Sequence, residues 1–281
     1  MRSVRHPDSL AGGSRFSVSP PWALATPLIL VGVALFVIPV ALVVTASVEG
    51  ENALEQYGAF LTSGYHLQIL LRTVLLSVVS VLITALLSFP FAYFLATRSS
   101  RIAALCVIAL FLPMLVNAVV RIFGIQVFLR SLNNLLGLVG LPALPTAYNE
   151  NAVVIAFVMF LFPYMTLPIF ASLSHMNLSI VEAARTLGAG AGAVMARVVL
   201  PSARPGLIAG SVMCFALASG SFIVPAMMGG GRVQTMPLLV YNAVATASNF
   251  AFAAATAMIL LVVVLPTIVY TSTHAEGKER G

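Results

Sequence analysis

Apolar residues fall into six long runs separated by short polar segments: Ala23–Val48, Leu67–Thr97, Ile102–Phe128, Ala152–Ser174, Leu207–Met228 and Phe250–Thr271. A helix needs about 20 apolar residues to cross the hydrocarbon core of a bilayer, and each run meets that length. The pattern therefore predicts an all-α, polytopic membrane protein with about six transmembrane helices. Prolines punctuate the runs at Pro27, Pro39, Pro90, Pro113, Pro163, Pro168 and Pro225. Membrane helices tolerate them where neighbouring helices or water satisfy the freed carbonyls. No internal repeat of the size expected for a secondary transporter is visible.

Composition makes lipid the solvent. Hydrophobic residues are 60% of the chain, charged residues 8%, and mean hydropathy is +1.05. Soluble domains carry roughly 25% charged residues. The net charge of +6 is almost wholly arginine, with Lys278 the single lysine. The bases stand singly at the ends of apolar runs, a distribution that argues against nucleic-acid binding and for topology determinants. With the N-terminus inside, inner segments hold Arg2, Arg5, Arg15, Arg98, Arg101, Arg185, Arg197, Arg204, Lys278 and Arg280. Outer segments and outer helix ends hold Arg72, Arg121, Arg130 and Arg232, and the first outer loop adds Glu49, Glu51 and Glu55. Both termini are thus expected in the cytoplasm. This divides the chain into a tail at 1–22, a permease domain at 23–271 and a tail at 272–281. The first run continues past the length of a signal-peptide core, so it is read as an uncleaved helix. Cys106 and Cys214 lie inside apolar runs, outside any metal or redox spacing.

The most informative stretch is the polar loop between the fourth and fifth runs, residues 175–206. Ser179 stands three residues before Glu182, the spacing of a capping box. A short helix is expected over Ile180–Leu187, stopped by Gly188. A small-residue turn follows at Ala189–Gly192, then a second helical piece over Ala193–Leu200, with Pro201 and Pro205 bracketing the return to the membrane. A stiff element outside the bilayer is suited to being held by another protein. On spacing alone it also suits an ordinary, well-capped connection.

The run Glu182-Ala183-Ala184, Gly188, Val198, Leu200-Pro201 resembles the EAA loop of ABC importer permeases, with Val198 in place of that pattern's isoleucine. The resemblance extends over most of residues 60–270 and is closest to the spermidine/putrescine-type permeases, first-subunit type. Further stretches carry it: Phe89-Pro90-Phe91-Ala92-Tyr93, Val120-Arg121 with Asn133-Asn134, Phe162-Pro163-Tyr164-Met165-Thr166-Leu167-Pro168, Pro205-Gly206-Leu207, Phe222-Ile223-Val224-Pro225 and Gly229-Gly230. The resemblance implies a bacterial inner membrane permease whose loop docks in a cleft of an ATP-binding subunit. Two such subunits, a second and different permease chain and an external solute-binding protein are implied as partners. Glu182, Ala183, Ala184, Gly188, Val198, Leu200 and Pro201 are then the docking-loop residues.

This chain carries no P-loop. That motif needs a lysine followed by Ser or Thr, and Lys278 is followed by Glu279. His6, His66, His175 and His274 are scattered and form no catalytic constellation. ATP and magnesium are therefore expected on partner chains, with no cofactor on this one. An ionisable residue inside a span is a functional candidate, and Arg121 is the clear case. Asn117 lies four residues earlier on the same helical face. The pair is a candidate translocation-pathway element, against the alternative that Arg121 reaches the outer interface. No Asp or Glu lies inside the six runs, and Gly220-Ser221-Phe222 stands where the polyamine-type subfamily often has an acidic residue. A polycation and an anionic or zwitterionic solute both remain open, as does a passive channel or carrier as the alternative function.

Overall fold

The computed structural model describes residues 21–48, 53–98, 100–144 and 148–276. The tails at 1–20 and 277–281, and the loop acids Glu49 and Glu51, lie outside the described residues. Every regular element among the described residues is helical. The chain divides into two units at Thr45/Ala46. The first is essentially α1 (Pro21–Val48), which carries a 19-residue apolar window over Leu30–Val48. The second comprises α2 (Ala53–Thr62), α3 (Gly64–Thr97), α4 (Ser100–Leu115), α5 (Ala118–Leu138), α6 (Glu150–Ser174), α7 (Leu178–Thr186), α8 (Ala191–Val194), α9 (Leu200–Gly220), α10 (Ile223–Gly229), α11 (Met236–Ala245) and α12 (Phe250–Glu276). Among the described residues, six helices are long and apolar enough to cross a membrane.

The core of the second unit is α3, α6 and α9. Helices α3 and α6 run parallel: Arg72 pairs with Glu150 at 2.8 Å near the start of both, and Phe91 packs on Phe162 at 5.4 Å further along. Helix α9 runs antiparallel to α6, and two glycines make their closeness possible. A Cβ on Gly206 would collide with the Pro168 carbonyl and lie 2.7 Å from Ile169 Cα; one on Gly210 would lie 2.8 Å from Met165 Sδ. One turn on, Cys214 Sγ approaches the Leu161 carbonyl at 3.7 Å. Small residues at four-residue spacing let membrane helices approach this closely, because lipid supplies no hydrophobic drive between them. Helix α12 starts beside the start of α3, where His66 packs between Phe60 and Phe252. The α11 amide of Met236 donates to Thr73 Oγ1 at 2.9 Å.

Two expected spans are broken. The third is α4 and α5, separated at Val116–Asn117. Pro113 sits in the last turn of α4, where it removes the ladder bond to the Ala109 carbonyl, and the helix stops two residues later at Leu115. Asn117 then starts a new helix by accepting the Val119 amide at 2.9 Å. The fifth run ends as a helix at Gly220 and resumes as α10 after Phe222. Pro225, two residues into α10, would clash with the Ser221 carbonyl in an unbroken helix, and the break removes that carbonyl from its path. The short α2 and α11 were not expected from the apolar pattern.

Candidate functional site: the docking segment and two aromatic breaks

The segment after α6 forms the end of the second unit at which α3 and α6 finish and α9 begins. Its first helix, α7, is capped differently from the expected Ser179–Glu182 box. Asn177 Oδ1 accepts both the Ser179 amide at 3.1 Å and the Ser179 hydroxyl at 2.8 Å. Asparagine caps a helix start at least as well as serine, and here it leaves the serine as its donor. The stop is as expected: Gly188 has φ +84°, which glycine adopts without a Cβ penalty. The Gly188 amide bonds to Arg185 O at 3.0 Å and the Ala189 amide to Ala184 O at 3.0 Å, closing a Schellman-type turn.

The second half of this segment departs from the expected separate piece at Ala193–Leu200. Helical geometry runs without interruption from Ala191 to Gly220, through a π-helical turn at Met195–Val199. Pro201 would clash with the Arg197 carbonyl in a regular α-helix, and the wider π turn immediately before it makes room. Ser202 Oγ donates to the Val198 carbonyl at 2.8 Å, and Ser172 Oγ of α6 donates to the Ser202 carbonyl at 2.8 Å. Both prolines therefore sit inside one long helix.

The seven docking-loop residues divide by face. Glu182, Ala183 and Gly188 are exposed, and so are Ile180 and Leu187, the latter at 88%. Ala184 and Val198 pack against the core beside the buried Val181, Val194 and Val199. Leu200 is 39% exposed and Pro201 half-buried. The inward side ties the segment to the bundle, and the outward side presents one carboxylate, small side chains and an apolar tip. Around it stand Arg98, Arg101, Arg185, Arg197 and Arg204, all exposed. The opposite end carries Arg232 and the Arg72–Glu150 pair.

Asn117 and Arg121 sit at the α4–α5 break. The Asn117 side chain is spent on its cap. Arg121, expected at a helix end, is placed well inside: its guanidinium carbon lies 3.7 Å above the Phe160 ring and 5.5 Å from the Tyr164 ring centroid. Those residues stand 10 and 14 positions into α6, about 15–21 Å along it. One guanidinium nitrogen donates to the Pro113 carbonyl at 3.3 Å and the other to the Tyr164 hydroxyl at 3.5 Å, while buried Nε has no partner. A charge at this depth in a span is costly, and the ring faces offset part of it. The signal for this arrangement was present in Phe160 and Tyr164, four apart on one face, but only the fold shows which cation they meet. A second aromatic pair, Phe222 and Tyr241, marks the α9–α10 break with ring centroids 4.7 Å apart.

Residues 73–274 match the family described as "binding-protein-dependent transport system inner membrane component". The spermidine/putrescine transport system permease protein PotB of Salmonella typhimurium (strain LT2) is 30% identical over 215 residues, 75% of this chain and 75% of that one. The fold is similar to a chain of a bacterial ABC transporter that imports the acidic polysaccharide alginate, with TM-score 0.74, 16% identity, and 91% and 94% of the two chains covered. It is similar also to the same kind of transporter in complex with an alginate-pentasaccharide-bound periplasmic protein, with TM-score 0.69, 16% identity, and 89% and 91% coverage.

Proposed function

We propose that this chain, which belongs to the family of binding-protein-dependent transport system inner membrane components, works as one half of a permease pair driven from its arginine-rich end. The chain is the permease subunit of an ABC importer in the inner membrane. That membership decides against the passive channel or carrier. The finer assignments are our reading. Both termini and the α7–α8 segment lie in the cytoplasm, as the five exposed arginines around that segment support. Two ATP-binding subunits carry ATP and magnesium and hold α7 in a cleft. A second permease chain completes the pathway, and an external binding protein delivers the solute; the alginate transporter bound to its periplasmic protein supports that last partner.

The observation that carries the reading is the outward side of α7 and its C-cap: Glu182 and Ala183 on a helix fixed at both ends, followed by the 88%-exposed Leu187, at the basic end of the bundle. An exposed leucine outside the lipid on so stiff an element fits an apolar pocket in a partner. Transmission is then mechanical. Nucleotide closes the ATP-binding pair and displaces α7, and the unbroken helix from Ala191 to Gly220 passes the displacement to α9. The Gly206 and Gly210 contacts oblige α6 to follow. Solute-loaded binding protein favours the outward-facing state by contacting it better. For Asn117 and Arg121 we infer a place in the wall of the route, holding the α4–α5 break against α6. The solute named for PotB makes a polyamine or similar small molecule the first candidate cargo.

Co-purification tests the docking. Glu182→Lys and Leu187→Ser leave the bundle intact, because neither side chain is buried, yet each strips the ATP-binding subunit from the purified membrane complex. Unchanged recovery of that subunit with both variants would sink the assignment.

A further inference from the structure

Helix α9 ends at the exposed Gly220, beside a cleft whose lining residues carry no formal charge. Phe222, between α9 and α10, stacks on Tyr241 of α11 with planes 11° from parallel. The pair forms part of the wall of a cleft of about 630 Å³ between α9, α11 and α12, which Ser219, Gly220, Leu261 and Val264 also line. Tyr241 is 49% exposed. Gly220 is the last residue of α9, and the final carbonyls of a helix lack intrahelical donors. The Ala218 carbonyl takes the Ser221 amide at 3.3 Å, and Ser219 and Gly220, at the negative end of the helix dipole, line the cleft. No Asp, Glu, Lys or Arg lines the cleft. Ring faces and a helix C-terminus both attract a cation, and neither attracts an anion.

The same chain shows such a pairing occupied. The Phe160–Tyr164 stack, at the other broken span, carries a guanidinium 3.7 Å from a ring. The Phe222–Tyr241 stack has the same chemistry and no resident cation among the described residues. We propose that this cleft binds the cationic end of an alkylammonium solute, with the charge on the exposed face of Tyr241 toward the α9 carbonyls and the methylenes along the apolar walls. This rests on the importer reading and deepens it: the cleft is lined by no carboxylate, and ring faces and backbone carbonyls take that part.

The test uses the membrane complex purified without its external binding protein, in lipid nanodiscs at fixed ionic strength. It is titrated with spermidine and, separately, with succinate. Spermidine is expected to bind saturably. Tyr241→Leu should weaken it about tenfold, as should Phe222→Leu, and Tyr241→Phe, which keeps the ring, should hold within about threefold. Succinate should not compete. The proposal is overturned if spermidine does not saturate, if both leucine variants bind like the parent, or if succinate is preferred. Bound ATP-binding subunit is read on the same preparations. Its retention without spermidine binding removes this site alone, whereas spermidine binding on a complex that has lost it removes the docking reading and leaves the site.

Discussion

The two aromatic pairs occupy equivalent situations and were finished differently. Each stands where an apolar run that reads as one span is broken by proline chemistry, at Pro113–Asn117 and at Gly220–Pro225. At the first, Arg121 of the new helix folds back over Phe160, reaches the Pro113 carbonyl across the break, and closes it. At the second, no cation stands over the rings among the described residues, and a cleft lies beside Phe222 and Tyr241. A broken membrane helix leaves polar backbone that must be met by something. The difference shows two ways of meeting it: a fixed arginine makes a wall, and an open break makes a place for a mobile cation.

Both breaks depend on the α6–α9 seam, since Phe160 and Tyr164 belong to α6 and Phe222 follows α9. The largest effect is therefore expected from Gly206→Leu. Its side chain would have to displace the Pro168 carbonyl and Ile169 backbone, a cost above about 3 kcal/mol. Thermal unfolding in detergent should show loss of the cooperative transition. A melting temperature within a degree or two of the parent would mean the helices can separate without harm, and the seam could not be what holds the two breaks in place.

Arg121→Ala comes next and touches one break only. It gives up two hydrogen bonds and the ring contact but also removes a charge from the membrane interior, so stability changes little while the break loosens. Uptake of solute should fall about tenfold, the equivalent of ~1.4 kcal/mol, with the ATP-binding subunit still bound. Full uptake by this variant would leave Arg121 without a role in the route.

How much of this was legible in the sequence depends on which force decides each feature. Apolar length sets the number of long helices, and six was right because hydrocarbon thickness leaves little freedom. Left-handed Gly188 was legible because only glycine makes that turn cheaply. The cap of α7 was not, because Asn177 and Ser179 both suit the position and the choice lay in two hydrogen bonds. Pro113 and Pro225 were visible, yet a proline inside a span can kink it, widen it or end it. Pro201 is tolerated inside a helix only because a π turn forms ahead of it and Ser202 and Ser172 bond nearby carbonyls. The aromatic pairs belong to the same class: Phe160 with Tyr164 is a local pattern, whereas Phe222 with Tyr241 joins residues 19 apart in sequence that only the α10–α11 turn brings face to face.

The smallest effect separates ring chemistry from packing at the closed break. Phe160→Leu keeps an apolar side chain of similar bulk under Arg121 and leaves the Pro113 and Tyr164 bonds in place, so only the ring face is lost. The expected cost is about 1 kcal/mol, and a double-mutant cycle with Arg121→Leu should return most of it as coupling. A coupling near zero would mean that Phe160 merely fills space and that the closed break is no guide to the open one. The matching measurement at the open break is thermal stability with and without spermidine. Spermidine should raise the melting temperature of the parent and of Phe160→Leu alike and leave that of Tyr241→Leu unmoved, because a ligand stabilises only the folded state that binds it. If the increment follows Phe160 instead, the mobile cation and the built-in one compete for the same rings, and the two breaks are one site.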